Sequence, residues 1–351
     1  MMILAGTPLG FRFGVLSSNA DDPAARLADY HEQGSLYDRS AIRRLAAWAD
    51  VTTYEIEHID TDALTESEQA GACILPRPGV LKTINDKFEQ KLVLARAGIP
   101  TPAFGERPFG YPTVQKLRTG GYDGRGVQVL RNERDALLPG DSYFEELVEI
   151  EREVAVIVVR SATGETATYP VVEMEFDPVA NICSRVIAPA RIDPTHEAGA
   201  REVALASVEA VDGVGVLAVE LFVTTSGEVV VNEIAPRPHN SGHLTIDACA
   251  TSQFEQHLRA ITGLPLGSVK LRAAAVMVNV LGADDADGHP RLPMIDRILS
   301  VPDVHLHWYG KQDVRPYRKM GHVTVVAENL DEALARADGI VAAARATGGG
   351  S

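Results

Sequence analysis

Residues 217–234 read L-A-V-E-L-F-V-T-T-S-G-E-V-V-V-N-E-I. Two apolar runs flank T-T-S-G-E, which is the pattern of a β-hairpin, and Ser226-Gly227 suits a two-residue turn. That turn places Glu220 directly opposite Glu233, with Cβ atoms about 4.5–5.5 Å apart. Two carboxylates so placed among valines and leucines repel, and burying them unpaired is costly. A hard divalent cation relieves both problems, so Glu220 and Glu233 are candidate metal ligands. The competing reading is a longer loop that shifts the register and leaves one glutamate exposed. The chain then continues A-P-R-P-H-N-S-G-H to His243, crowding an arginine, two histidines and two prolines onto one loop.

Outward from the hairpin, bulk properties narrow the class. The 351 residues suffice for two or three domains, and the net charge of −15 repels nucleic acid and anionic membranes. No apolar run is long enough to span a bilayer. Cys73, Cys183 and Cys249 are odd in number and form no C-x-x-C, so the expectation is a cytoplasmic protein whose cysteines are small buried hydrophobes.

Periodicity divides the chain. Strand-like 11–16, helix-like 41–50 and strand-like 51–57 suggest βαβ units around a parallel sheet. Asn85-Asp86 offers an N-cap to a helix that Gly98 and Pro100 end. Strands are predicted near 143–148, 153–159, 167–174 and 216–223, with helices at 194–211 and 250–262. Strands near 273–280, 302–308 and 322–326 follow, then an alanine-rich helix at 330–345. The class is α/β and α+β. The expected units are an N-terminal domain at 1–86, a central domain at 87–270 with a lid at about 105–150, a C-terminal domain at 271–345 and a flexible tail at 346–351.

Three further stretches carry chemistry. K-L-R-T-G-G-Y-D-G-R-G at 116–126 has four glycines after a strand bearing Lys116. Such loops lay backbone N–H groups on phosphate oxygens, although a mobile hairpin loop has the same composition. F-E-E-L-V-E-I-E-R-E at 144–153 reads either as an edge for a nucleotide base and sugar or as a solvated acidic face. H-W-Y-G-K-Q-D-V-R-P-Y-R-K-M-G-H at 307–322 is basic within an acidic protein and offers an anion site or a basic surface loop.

In order, these elements resemble the ATP-grasp enzymes. The motifs N-D-K-F-E-Q-K (85–91), K-L-R-T-G-G-Y-D-G-R-G, V-E-L-F-V and N-E-I-A-P-R-P-H-N-S-G-H resemble one family more closely, the N5-carboxyaminoimidazole ribonucleotide synthases. So do S-Q-F-E-Q-H-L-R-A-I-T-G-L-P-L-G (252–267) and K-M-G-H (319–322). The resemblance covers nearly the whole chain. It implies an ATP-grasp fold and an ATP-dependent carboxylation in purine biosynthesis. Bicarbonate becomes carboxyphosphate, and the amine of aminoimidazole ribonucleotide takes the carboxyl carbon. The resemblance also implies ATP contacts at Lys87, Lys116, Gly120, Gly121, Tyr122, Asp123, Gly124, Gly126, Glu145, Glu146, Val148, Glu153 and Asn232. Mg²⁺, as two ions, falls to Glu220 and Glu233, and Arg237, His239 and Asn240 surround bicarbonate. The ribonucleotide falls to Tyr122, Arg125, Lys311, Arg318 and one of Glu55 and Glu57. A homodimer is expected.

The chain departs from the family at its start. Members begin with a strand and a turn of the form G-G-G-Q-L-G-R-M, whereas M-M-I-L-A-G-T-P-L-G-F matches the helix after that turn. Loss of a central parallel strand should cost several kcal/mol. Either the given sequence starts inside a longer one, or the chain is a catalytically impaired ATP-binding homologue. Another ATP-grasp ligase is the remaining alternative. V-L-S-S at 15–18 also stands where members often carry an acid.

Overall fold

A computed structural model describes residues 1–121, 126–177 and 180–349. Its centre is an eleven-stranded sheet. Strands Ile150–Arg160 and Gly215–Thr224 run antiparallel through its heart, with Glu220 opposite Ala155. Both read as near-continuous apolar runs because both of their faces are covered. Val154, Val156, Val158, Leu217, Val219 and Leu221 pack on Ala200, Ala204 and Val208 of the helix Pro194–Ala210. Their neighbours Ile157, Val159, Val216 and Ala218 turn to the other side, towards Ala260 of the helix Gln253–Thr262. This is the two-residue period of a strand. Each fully buried Val or Leu contributes about 1.5–3 kcal/mol. The helices start where side chains can accept the first free N–H groups: Asp193 caps one and Ser252 the other, and Gly263 at φ +73° ends the second.

The sheet does not stop at residue 270. Strand Cys183–Ala188 pairs with Ala274–Gly282, which pairs with Lys319–Ala327, which pairs in turn with Val304–Trp308. The C-terminal segment therefore continues the central sheet and packs beneath the helix Leu330–Val341. A separate four-stranded sheet contains Thr113–Leu117 and Ser142–Glu146. The N-terminal region has a parallel pair, Gly14–Ser17 with Tyr30–Gln33, and helices Arg39–Trp48 and Thr61–Gln69 capped by Asp38 and Asp60. Among the described residues no helix is long and apolar enough to cross a membrane.

Several sequence expectations need correction. The stretch 51–57 is not a strand; only Thr52 bridges, to Ile74. Its side chains instead serve the central unit, Thr53 meeting His257 at 2.8 Å and Glu57 meeting Arg237 at 3.0 Å. The strand expected at 167–174 splits around Tyr169-Pro170 into Thr166–Thr168 and Val172–Phe176, since proline has no N–H for the ladder. Cys73 is exposed, while Cys183 and Cys249 are buried. The last helix ends at Val341, and the tail expected at 346–351 is, through residue 349, part of a strand. Arg345–Gly349 pairs in parallel with Leu281–Gly282 and antiparallel with His289–Arg291. Its glycines permit close approach: a Cβ on Gly348 would lie 1.6 Å from the Asp287 carbonyl oxygen. Gly348→Ala is expected to cost about 1–3 kcal/mol, measured as a lower urea midpoint of unfolding.

Candidate active site

The hairpin reaches the expected pairing by an unexpected route. The turn holds three residues, with Gly227 N–H donating to the Thr224 carbonyl and Thr224 N–H to the Glu228 carbonyl, both at 2.9 Å. Gly227 takes φ +84°, a conformation that favours glycine. This turn sets Val223 opposite Val229 and Leu221 opposite Val231, and alone it would separate the two glutamates. A β-bulge then adds one residue, Asn232, and Glu220 pairs with Glu233. Asn232 and Glu233 thus share the cleft side, while Val231 and Ile234 on either side of them join the buried core. The longer-loop reading is right about the loop, and the bulge cancels its consequence. The Glu220 and Glu233 side chains are 15% and 37% exposed.

Three lysines face these acids. Asp86 caps the helix Lys87–Arg96 and is gripped by Arg118, with Nε at 3.0 Å, so Lys87 starts a fixed helix. Its ammonium pairs with Glu233. Lys116 donates to Asn232 Oδ1 at 2.9 Å and meets Glu145 Oε2 at 2.8 Å. Lys91 is buried, 3.3 Å from Glu145 Oε1, and donates to Thr101 Oγ1 at 2.7 Å and the Val231 carbonyl at 2.8 Å. The Tyr143 hydroxyl also donates to Glu145, at 2.8 Å. The Glu145 side chain therefore anchors lysines inside the wall, whereas Glu146 is exposed and Val148 half-buried.

These surroundings separate the acids. Burial opposes ionisation of Glu145, but Lys91 and Lys116 outweigh it and bring its pKa down to about 2. Burial, then the charges of Glu233 and Glu153, push Glu220 well above the ordinary carboxylate range. Burial acts on Glu233 too, yet Lys87 holds it below that range. Glu153, desolvated, rises to about 6. The donor set of Glu220, Glu233 and the Asn232 amide oxygen is all hard oxygen, and Lys87 pairs directly with only one of the two carboxylates. These residues fit a hard divalent cation.

The loop beyond carries the remaining groups. Arg237 pairs with Glu57, whose carbonyl accepts from Asn85 at 2.9 Å, while Glu55 is exposed. The Ser241 N–H donates to His239 Nδ1 at 3.3 Å, so Nδ1 is the bare nitrogen and Nε2 carries the proton. Nε2 lies 3.5 Å from Glu220 Oε1. Burial, with Arg237 and Lys319 nearby, keeps the ring neutral. Asn240 and Asn279 exchange two amide hydrogen bonds of 2.9 Å, tying the loop to the strand Ala274–Gly282. Lys311 donates to the Lys319 carbonyl at 2.7 Å, and Arg318 donates to the Asp313 carbonyl at 2.8 Å. Lys319 belongs to the basic stretch read as an anion site or a surface loop, and its charge acts on Glu220 and His239. Gly120 and Gly126, in the glycine-rich stretch, both take φ +78°. The sites expected at Tyr122, Asp123, Gly124 and Arg125 lie outside the described residues.

Paired acids on a bulged hairpin, lysines from two other elements and an arginine–histidine loop form an ATP-grasp arrangement. Residues 101–254 match the ATP-grasp domain, 1–85 the ribonucleotide synthetase preATP-grasp domain, and 275–336 the phosphoribosylaminoimidazole carboxylase C-terminal domain. The chain is 41% identical to N5-carboxyaminoimidazole ribonucleotide synthase of Synechococcus elongatus, over 93% of this chain and 86% of that one. The chain belongs to the N5-carboxyaminoimidazole ribonucleotide synthase family. The crystal structure of the Thermotoga maritima N5-carboxyaminoimidazole ribonucleotide synthetase superposes with a TM-score of 0.93 at 45% identity, covering 99% of this chain and 96% of that one. The Aspergillus clavatus synthase, solved with ADP and 5-aminoimidazole ribonucleotide, superposes at 0.88 with 34% identity, covering 98% and 95%. Like its family, the chain is an ATP-dependent ligase of purine biosynthesis.

The buried cluster around Glu145 has a measurable consequence. Its depressed pKa stabilises the fold above the ordinary carboxylate range, and that stability is lost as pH falls from about 4.5 towards about 2. Glu145→Gln leaves two lysines without their counter-charge and should cost about 3–5 kcal/mol near neutral pH. Urea unfolding across this pH range should show the variant's deficit shrinking as acid is added.

Proposed function

We propose that this chain performs its family's reaction with the groups described above. Bicarbonate oxygen attacks the γ-phosphorus of ATP, giving carboxyphosphate and ADP. The exocyclic amine of aminoimidazole ribonucleotide bonds to the carboxyl carbon, the carbon–oxygen bond to phosphate breaks, and the amine loses a proton. N5-carboxyaminoimidazole ribonucleotide and phosphate result.

Phosphoryl transfer needs position and charge more than covalent help. Lys87 and Lys116 neutralise the triphosphate, and Gly120 to Gly126 close over it. Glu145 and Asn232 hold Lys116 in place; Glu145, Glu146 and Val148 line the edge for adenine, and Glu153 takes the ribose. Mg²⁺, held by Glu220 and Glu233, would supply charge neutralisation at the transferred phosphoryl group. Arg237 suits a planar oxyanion. The neutral His239 donates its Nε2–H to bicarbonate or carboxyphosphate oxygen without adding a charge, and Lys319 adds one. Glu57 releases Arg237 as the substrates enter, and Lys311 and Arg318 take the ribonucleotide phosphate with Tyr122 and Arg125 of the lid. The cysteine usage supports a cytoplasmic location, and the family resemblance supports a homodimer.

The observation that carries this reading is the convergence of Glu220, Glu233, Lys87 and His239 on one cleft wall. The test is ADP release with bicarbonate, with and without aminoimidazole ribonucleotide. Release that depends on bicarbonate and rises with the ribonucleotide supports it; turnover on formate in place of bicarbonate overturns it. Glu233→Gln should lower kcat by more than the roughly 10–100-fold typical of residues behind metal ligands. An active variant would rule out the metal role.

A further inference from the structure

Three buried glutamines make the same contact. Gln253 accepts from His239 N–H at 2.9 Å and donates to the His239 carbonyl at 2.7 Å and to His243 Nδ1 at 2.9 Å. Gln90 accepts from Ile234 N–H at 2.9 Å, and its Nε2 reaches the Ile234 carbonyl at 3.4 Å and the Ile84 carbonyl at 3.3 Å. Gln256 accepts from Gly267 N–H at 2.8 Å and donates to the Gly267 carbonyl at 2.7 Å. None is more than 2% exposed. Each amide acts as a strand partner for one residue, offering an acceptor to its N–H and a donor to its carbonyl.

Two of these contacts bracket the loop that follows Glu233. Ile234 is the next residue, and His239 ends the Pro-Arg-Pro segment, whose prolines have no N–H with which to anchor themselves. The Gln253 contact is tightly enclosed. A Cβ on Gly242 would lie 2.4 Å from Gln253 Oε1, and the Gln253 N–H donates to Thr245 Oγ1, which donates to the Gly242 carbonyl.

We propose that Gln253 is a positioning residue of the carboxylation. Its amide fixes the backbone of His239, and so aims the Nε2–H of that ring at the point beside Glu220, while Gln90 holds the loop's other end. This rests on the reaction assigned above. Gln256 provides the comparison, because it sits on the same helix, is as buried and clamps Gly267, outside the loop that carries His239.

Gln253→Glu places a carboxylate against two acceptors, the His239 carbonyl and His243 Nδ1. The expected result is a fall in kcat of about 100-fold, the scale of a 1 Å misplacement, with KM for ATP changed less than about twofold. Gln256→Glu, with a comparable loss of Tm, should keep kcat within severalfold of wild type. Nitrogen-15 NMR of labelled histidines reads the clamp without turnover: wild type should show His239 as the neutral Nε2–H form, and Gln253→Glu should shift that signal while Gln256→Glu does not. If Gln253→Glu does not fold, the neutral Gln253→Met takes its place with the same outcomes. Equal losses of kcat in the two variants, or an unmoved His239 signal, overturn the proposal. If the wild type itself lacks bicarbonate-dependent ADP release, the assigned reaction fails, and the NMR comparison still decides whether Gln253 positions His239.

Discussion

Two carboxylates on one face of one hairpin set the terms for their surroundings. Glu220 and Glu233 sit side by side because a bulge at Asn232 corrects the register that the turn imposes. Such a pair is unfavourable unless charge is brought to it. Lys87 comes from the start of a capped helix, Lys116 from a strand of a different sheet, and Lys319 from the C-terminal end of the large sheet. The repulsion between two acids thus requires elements from distant parts of the chain to converge.

The same physics sorts the acids into different states. Glu145 is the most enclosed, yet it stays ionised because two lysines and a tyrosine surround it. Glu220 and Glu153 are raised because desolvation has less opposing it. Environments that drive like groups apart give them different charge states. His239 is neutral for a related reason, and a neutral donor can approach an anion pair without disturbing their balance.

The continuity of the large sheet explains how the C-terminal segment takes part. Strand Ala274–Gly282 carries Asn279, whose amide pairs with Asn240 on the loop, and its neighbour begins with Lys319. From the opposite side, Glu57 of the N-terminal region holds Arg237. The loop at 234–240 is therefore gripped from three regions, and its position records how they are packed.

Much of this was legible in the sequence. The near-continuous apolar run V-L-A-V-E-L-F-V located a central strand and Asp86 marked a helix start, while the Glu220–Glu233 pairing was expected from a two-residue turn and is reached through a three-residue turn and a bulge. Even the bulge left a trace: Val231 and Ile234 are both core residues three apart, a spacing that strict alternation forbids. Local patterns of this kind are set by the chain's own periods and turn chemistry. Other features depended on partners far along the chain. The stretch 51–57 has the composition of a strand, but its side chains are used by His257 and Arg237. The glycines at 348 and 349 look like a linker, but they are the residues that allow a strand to press against Asp287 and Arg291. Glu145 reads as part of an acidic face until Lys91 and Lys116 enclose it. The sequence by itself determined which residues were acids, donors and strand formers, and in what order. Only tertiary packing decided which of them met, because burial and charge act through distances that the order of residues does not contain.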